Sequence, residues 1–297
     1  MNAREKLQDL LDGPDIITAP GCFDALSARL IEQAGFPATF MGGFATSAAR
    51  IGAPDTGLIS YAEMVDQARN IAAAEMVDQA RNIAAAVKIP VLGDGDTGYG
   101  NAVNVKRTVQ GYAQGGLACV MIEDQVAPKK CGHTEGKQVV SRDEAQRRIE
   151  AAVDARDEGA DILIMARTDA NYTDGFEEAL ARCRDFAEIG ADITFLEAPR
   201  DLDEMRRYCQ EVPGAKMANM VEQGKTPFLT PAELQDIGYT VAIYPVSLML
   251  AGIRAMQGVL ADLPGGHDPE AITTFDELKE IVGFPSYYVE EKRYTTD

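Results

Sequence analysis

The sequence predicts an α/β protein folded as a (β/α)8 barrel of the TIM type. Two observations carry the prediction. Eight short apolar runs alternate with longer segments of helical period. Four of those runs carry an acidic side chain at or next to their last residue, on the edge where such barrels assemble their active sites. The length of 297 residues suits one barrel of this kind.

The expected strands, in order, are "DIITAP" (15–20), "TFMGGF" (39–44), "IPVLGDGD" (89–96) and "ACVMIED" (118–124). They continue with "DILIMARTD" (161–169), "ITFLEA" (193–198), "KMANMV" (216–221) and "TVAIYPV" (240–246). Each is short and rich in β-branched or large apolar residues, the signature of strands buried on both faces. Between them, "SRDEAQRRIEAAVDARDEG" and "FEEALARCRDFAEIG" repeat apolar residues at helical spacing, the second stopping at Gly190. A doubly wound open sheet uses the same alternation, but eight units favour closure. No linker composition interrupts the chain, so a single domain over 1–297 is expected, with about 264–297 adding helices outside the barrel for subunit contact.

One segment breaks the pattern. "AEMVDQARNIAA" at 62–73 recurs unchanged at 74–85. Both copies suit a helix with Met64, Val65, Ala68, Ile71 and Ala72 on one face. Twelve residues turn a helix by about 1,200°, so the second stripe lies about 120° from the first. The expectation is an elongated helix that overhangs the barrel, or a bulged turn.

Composition excludes several functions. The formal charge of −19 argues against nucleic acid or an anionic membrane as partner. An anionic substrate then needs local positive charge or a metal. No apolar run reaches the length of a membrane span, and the first residues lack the apolar core of a signal peptide. Five cysteines without metal-site spacing fit free thiols in a reducing cytoplasm.

The strand ends hold the chemistry. Strand three offers Asp94 and Asp96, strand four Glu123 and Asp124, strand five Arg167 and Asp169. Strand six offers Glu197, strand seven Asn219 and Glu222, and Asp55 follows strand two in "GAPDTG". Carboxylates at so many ends make a hard-oxygen set of the kind Mg2+ prefers. Asp94 and Asp96 are two apart, so one strand would point both to one face. Gly93 and Gly95 would keep the backbone slim beside a ligand. The competing reading is an Asp/Gly turn that caps the next helix. Arg167 ends an apolar run and needs a carboxylate partner, which is either Glu197 or a substrate.

In "APKKCGHTEGK" (127–137), Cys131 lies beside Lys129, Lys130 and His133. Nearby cations favour a thiolate, so Cys131 suits proton transfer or covalent attack. With Gly132 and Gly136 the segment suits a lid that brings positive charge to the site. The plainer reading is a solvated basic loop with an incidental cysteine. His267 reads as surface turn.

Taken together, "GDGDTGYGN", "IEDQ", "KKCGH" and "MARTDA" resemble the isocitrate lyase/phosphoenolpyruvate mutase superfamily, from about Phe23 to Arg293. The resemblance implies a barrel whose C-terminal helices are swapped between subunits, a homotetramer built as a dimer of dimers, and Mg2+ or Mn2+ as cofactor. It places the metal on Asp94, with Asp96, Glu123 and Asp55 contributing directly or through water. It places a keto-acid carboxylate on Arg167 and the amides near Gly42 and Gly43. It makes Cys131 the lid acid, with Gly132 and His133 beside it and Glu197 and Asn219 lining the pocket.

Within that family, Cys131 in "KKCGH" points to the carbon–carbon lyases, since phosphonopyruvate-type members carry an Asn–Ser loop there. Isocitrate lyases are much longer chains. Methylisocitrate-type members show Thr where this chain has Val221, and an Arg in the strand-eight loop where Leu250 stands. The family's Tyr-x-Ser-Gly at strand two reads Phe40-Met41-Gly42-Gly43 here, removing two hydroxyls. The expected function is Mg2+-dependent carbon–carbon cleavage of a small 2-hydroxydicarboxylate of the alkylmalate type, with methylisocitrate, oxaloacetate and phosphonopyruvate chemistry as alternatives.

Overall fold

The computed structural model describes residues 1–71, 86–131, 136–265 and 272–294. The chain divides into two compact units, Met1–Ser247 and Leu248–Asp297. The tail boundary expected near residue 264 falls inside the second.

The first unit is a closed parallel barrel in the order β1 to β8. The strands are β1 (Ile17–Cys22), β2 (Thr39–Met41), β3 (Val91–Asp94), β4 (Cys119–Glu123), β5 (Leu163–Thr168), β6 (Ile193–Leu196), β7 (Ala215–Asn219) and β8 (Val241–Tyr244). All eight expected strands form, and β8 pairs with β1 to close the ring. Their apolar runs succeed because each strand is covered on both faces. The expected second strand, 39–44, stops at Met41, because Gly42 takes the N-cap position of the helix Gly43–Ile51. The expected third strand, 89–96, is likewise cut to Val91–Asp94.

Strand alternation sorts side chains into two cores. Ile17, Ala19, Phe40, Leu92, Cys119, Met121, Leu163, Met165, Ile193, Phe195, Met217, Val241 and Ile243 form one cluster inside the barrel, with Leu7 of the helix Ala3–Leu11 packed onto it. The opposite parity packs outward: Leu196, Ala218 and Ala242 meet Leu180, Tyr208 and Leu234 of the surrounding helices. Stepping two residues beyond the inner set lands on Asp94, Glu123, Arg167, Glu197 and Asn219. The alternation that fills the core therefore aims these five polar residues at the carboxyl end of the barrel.

The helix Tyr61–Ile71 carries most of the first copy of the duplicated segment and buries Met64, Val65, Ala68 and Ile71 as expected. Ala72 and the whole second copy lie outside the described residues, as does the expected overhang or bulge. Gly190 ends the helix Phe176–Ile189 in left-handed backbone (φ 109°), the stop its position predicts.

In the second unit the helices Phe275–Val282 and Phe284–Tyr294 contact each other. This unit leaves large apolar side chains in solvent, among them Met256, Leu260, Phe275, Tyr287, Val289 and Tyr294. No helix among the described residues is long and apolar enough to cross a membrane.

Candidate active site

Beyond the carboxyl ends of β2 to β4, four carboxylates gather round one ammonium. Lys129 Nζ lies 2.7 Å from Asp55 Oδ1 and 2.7 Å from Asp96 Oδ1. Asp94, the last residue of β3, accepts from the Gly43 amide through Oδ2 at 3.0 Å and from the Asp96 amide through Oδ1 at 3.0 Å. Glu123, the last residue of β4, is buried beside them.

Two expectations about this segment are corrected. Asp94 and Asp96 do not share a strand face: β3 ends at Asp94, and Asp96 sits in left-handed backbone (φ 48°). A bend, fastened by the Asp96 amide on Asp94 Oδ1, brings both carboxylates into the cluster. Nor do Gly93 and Gly95 clear space for a ligand. A Cβ on Gly93 would stand 2.2 Å from Leu117 Cδ2, and one on Gly95 would stand 2.7 Å from the Met121 carbonyl oxygen. Both glycines admit close packing within the fold. Backbone does approach the site closely at Gly43, where a Cβ would stand 2.9 Å from Asp94 Oδ2 and 3.4 Å from Lys129 Nζ. At Gly42 a Cβ would reach the Phe40 ring at 3.4 Å, so the ring borders the place of the missing hydroxyl.

Burial shapes the electrostatics. Desolvation raises Asp55 above the usual carboxylate range against the pull of Lys129. It raises Asp96 to about 6, with Lys129 opposing and Asp94 and Asp55 adding repulsion. Glu123 is pushed well up by the same burial. Desolvation works to discharge Lys129, but Asp96, Asp94, Asp55 and Glu123 together outweigh it and hold the ammonium ionised. The expected lid lysine is therefore an internal counter-ion, whereas Lys130 is exposed. Gln125 fastens Lys130 by its backbone, accepting from its amide at 2.9 Å and donating to its carbonyl at 2.8 Å. The same Gln125 amide donates to Glu123 Oε2 at 3.2 Å. The segment leading into Cys131 is thereby tied to the carboxylate cluster. Cys131 is a half-buried thiol that takes part in no disulfide. Gly132 and His133 lie outside the described residues.

A second cluster adjoins the first. Ladder register sets Arg167 of β5 opposite Glu123 of β4, and Arg167 Nε lies 3.4 Å from Glu123 Oε2. Arg167 Nε and Nη2 grip Asp169 at 2.9 and 3.1 Å, and Nη2 meets Glu197 Oε2 at 3.2 Å. Asn219 Nδ2 donates to Glu197 at 3.4 Å. The expected Arg167–Glu197 pair is present, but Asp169 holds the guanidinium in the bidentate grip. Asp169 in turn accepts from Lys137 Nζ at 2.8 Å. Asp124 stands behind the cluster, accepting from Thr168 Oγ1 at 2.6 Å, the Asp169 amide at 2.9 Å and Arg182 Nη1 at 3.0 Å. Glu222 lies apart from both clusters' ion pairs and accepts from Ser247 Oγ.

Sequence reasoning missed Lys137 and the grip of Asp169. The triplet Arg167-Thr168-Asp169 carried a signal, since an arginine two residues before an acid on one strand face can reach it. Lys137 carried none: an isolated lysine after a glycine reads as solvent-facing.

Among the described residues, no three acidic, histidine or cysteine side chains stand close enough together to hold a metal ion. The Lys129 ammonium occupies the space between Asp55 and Asp96. The donor set nonetheless fits a hard cation. Six buried carboxylates (Asp55, Asp94, Asp96, Glu123, Asp169, Glu197) face three buried cations (Lys129, Lys137, Arg167), and Glu123 Oε1 is buried with no hydrogen-bond donor.

The family model described as phosphoenolpyruvate phosphomutase matches residues 7–263. The 2,3-dimethylmalate lyase of Eubacterium barkeri is 41% identical over 300 residues, covering 100% of this chain and 99% of that one. The solved structure of an oxaloacetate acetylhydrolase with the inhibitor 3,3-difluorooxalacetate superposes with a TM-score of 0.89 at 32% identity, covering 99% and 98% of the two chains. That of a phosphonopyruvate hydrolase with oxalate and Mg2+ gives 0.84 at 28% identity, covering 99% of each. With such kinship along its whole length, the chain is an enzyme of the lyase type and belongs to the phosphoenolpyruvate mutase/isocitrate lyase superfamily.

Proposed function

We propose that this enzyme is a Mg2+- or Mn2+-dependent carbon–carbon lyase acting on a 2-hydroxydicarboxylate of the 2-alkylmalate type. With 2,3-dimethylmalate the products would be pyruvate and propionate. The observation that carries the reading is the Lys129 ammonium buried between Asp55 and Asp96, within a carboxylate ring that adjoins Arg167 through Glu123. Such a ring, in excess over its cations, suits a divalent ion held by Asp94, Asp96, Glu123 and Asp55, directly or through water. A divalent ion bound there would supply Lewis acidity toward a 2-hydroxy acid.

The chain's own groups account for the rest. Arg167 offers a guanidinium to the carboxylate that becomes the keto acid, with Asp169 and Glu197 holding its orientation and Asn219 steadying Glu197. The Gly43 amide, at the start of the helix Gly43–Ile51, marks the close backbone approach on the opposite side. Loss of the hydroxyl proton and scission of C2–C3 leave a carboxylate enolate, a dianion that Lys130 and His133 would stabilise. The Cys131 thiol then protonates the carbon. Phe40 and Gly42 leave an apolar border where hydroxyls are absent, which favours an alkyl substituent over a further polar group.

The exposed apolar side chains of residues 248–294 support a homotetramer, a dimer of dimers with its C-terminal helices exchanged. The likeness to oxaloacetate acetylhydrolase supports a second reading, hydrolytic cleavage of oxaloacetate at the same site. A panel assay decides between these. Purified enzyme with Mg2+ is given 2,3-dimethylmalate, 2-methylisocitrate, citramalate, oxaloacetate and phosphonopyruvate in turn, and pyruvate, oxalate and phosphate are measured. Pyruvate from an alkylmalate supports the first reading, and oxalate from oxaloacetate the second. Phosphate from phosphonopyruvate alone would overturn both.

A further inference from the structure

We infer that Lys137 is a positioning residue for Arg167, acting through Asp169, and that it sets how tightly the site holds a substrate carboxylate. The inference rests on the proposal that Arg167 receives that carboxylate.

The guanidinium is nearly spoken for. Its Nε–Nη2 edge lies on Asp169, and Nη2 also reaches Glu197. Among the described residues, Nη1 has no hydrogen-bond partner, which leaves it for a ligand oxygen. Where Nη1 points depends on where Asp169 stands. Asp169 is held at three places. Its amide donates to Asp124 Oδ1 at 2.9 Å. Its Oδ2 takes Arg167 Nε. Its Oδ1 is shared between Arg167 Nη2 at 3.1 Å and Lys137 Nζ at 2.8 Å.

Among the described residues, Lys137 and Asp169 form the most secluded ion pair, with 1% and 0% side-chain exposure. A buried ammonium that neutralised nothing else of consequence would be costly. Here it has a charge to balance. Three carboxylates, Glu123, Asp169 and Glu197, crowd one guanidinium, and Lys137 supplies the second positive charge. Without it, Asp169 would draw on Arg167 alone and compete with an incoming carboxylate for the guanidinium's field. Lys137 also stands 5.0 Å from the ring centre of Tyr172, on the short helix Ala170–Thr173 that follows Asp169. The Gly136 amide donates to the Tyr172 hydroxyl at 3.4 Å. One lysine thus clamps the whole segment from Arg167 to Tyr172.

The probe is oxalate with Mg2+, followed by isothermal titration calorimetry, with kcat and KM measured on whichever substrate the panel assay identifies. Lys137→Met should weaken oxalate binding about tenfold or more and raise KM by a similar factor, while Lys137→Arg restores binding to within about threefold. Because Lys137 acts through Asp169, Lys137→Met combined with Asp169→Asn should weaken binding by less than the product of the single effects. Thermal unfolding is recorded for every variant, and Lys137→Gln replaces Lys137→Met if the latter does not fold. A folded Lys137→Met enzyme that binds oxalate within twofold of wild type overturns the inference, as does strict multiplicativity in the double variant. Wild-type enzyme that binds no oxalate with Mg2+ would instead remove the lyase reading beneath it, so the two failures are separable.

Discussion

Lys129 Nζ and Asp96 Oδ1 stand 2.7 Å apart, with only 5% of each side chain exposed. A protein of net charge −19 has thus carried a lysine into its interior to meet its own acids. Breaking a buried pair from one side strands the other charge. Lys129→Met should therefore cost about 3–5 kcal/mol of stability in EDTA. Mg2+ should return part of that loss and stabilise the variant more than the wild type. Urea unfolding with and without the metal checks both effects.

Asp96 titrates at about 6 against an ordinary 3.8 because burial, reinforced by Asp94 and Asp55, outweighs Lys129. A raised carboxylate binds its proton more tightly in the folded state. Its contribution to stability is therefore full at low pH and is lost as pH rises through the folded value. In EDTA, Asp96→Asn removes that contribution. The change in Tm on going from about pH 7 to about pH 5 should be less favourable in the variant than in wild type. Metal binding must displace the same proton, so Mg2+ affinity should fall as pH drops below about 6. Calorimetry across that range tests the second effect.

Cys131→Ser should lower turnover by a factor on the order of 10² or more and leave Mg2+ affinity unchanged. The hydroxyl stands in for the thiol with little change of shape but gives up its proton far less readily. Steady-state kinetics beside a Mg2+ titration separates a lost acid from a lost metal site. An unaltered turnover would take Cys131 out of the mechanism.

Gly93→Ala places a methyl 2.2 Å from Leu117 Cδ2 and 3.1 Å from Tyr112 Cε1. Overpacking of that kind costs about 1–3 kcal/mol. The strain falls on the outer face of β3, opposite the Asp94 carboxylate, and reaches Asp94 only through the Tyr112 hydroxyl that donates to its carbonyl at 2.6 Å, so oxalate affinity at saturating Mg2+ should hold. A drop in Tm with an unaltered binding isotherm is the expected outcome.

Strand alternation explains why so much of this was readable in advance. Each apolar run marked a strand, and the residue two steps past its inner core positions fell at the barrel mouth, as with Met165 and Arg167. Helix signals held for the same local reasons, Gly190 among them. Reading failed where the chain left regular structure. Asp96 looked like a strand partner of Asp94 until the backbone bent, and Gly93 looked like a ligand-facing glycine until Leu117 and Tyr112 filled the space. The first error came from extending period two past the end of β3 at Asp94, and the second from not applying it, since Gly93 faces the opposite side of β3 from Asp94.

Lys129 and Lys137 mark the same divide from the other side. By itself, the sequence determined the barrel, its eight strands and the set of acids and arginine at their ends, because periodicity and residue chemistry are properties of neighbours along the chain. Only the tertiary structure decided that these two lysines turn inward, one to Asp55 and Asp96 and the other to Asp169. The destination of a long, flexible cation depends on the summed field of carboxylates that arrive from other strands. That field exists only once the barrel has closed.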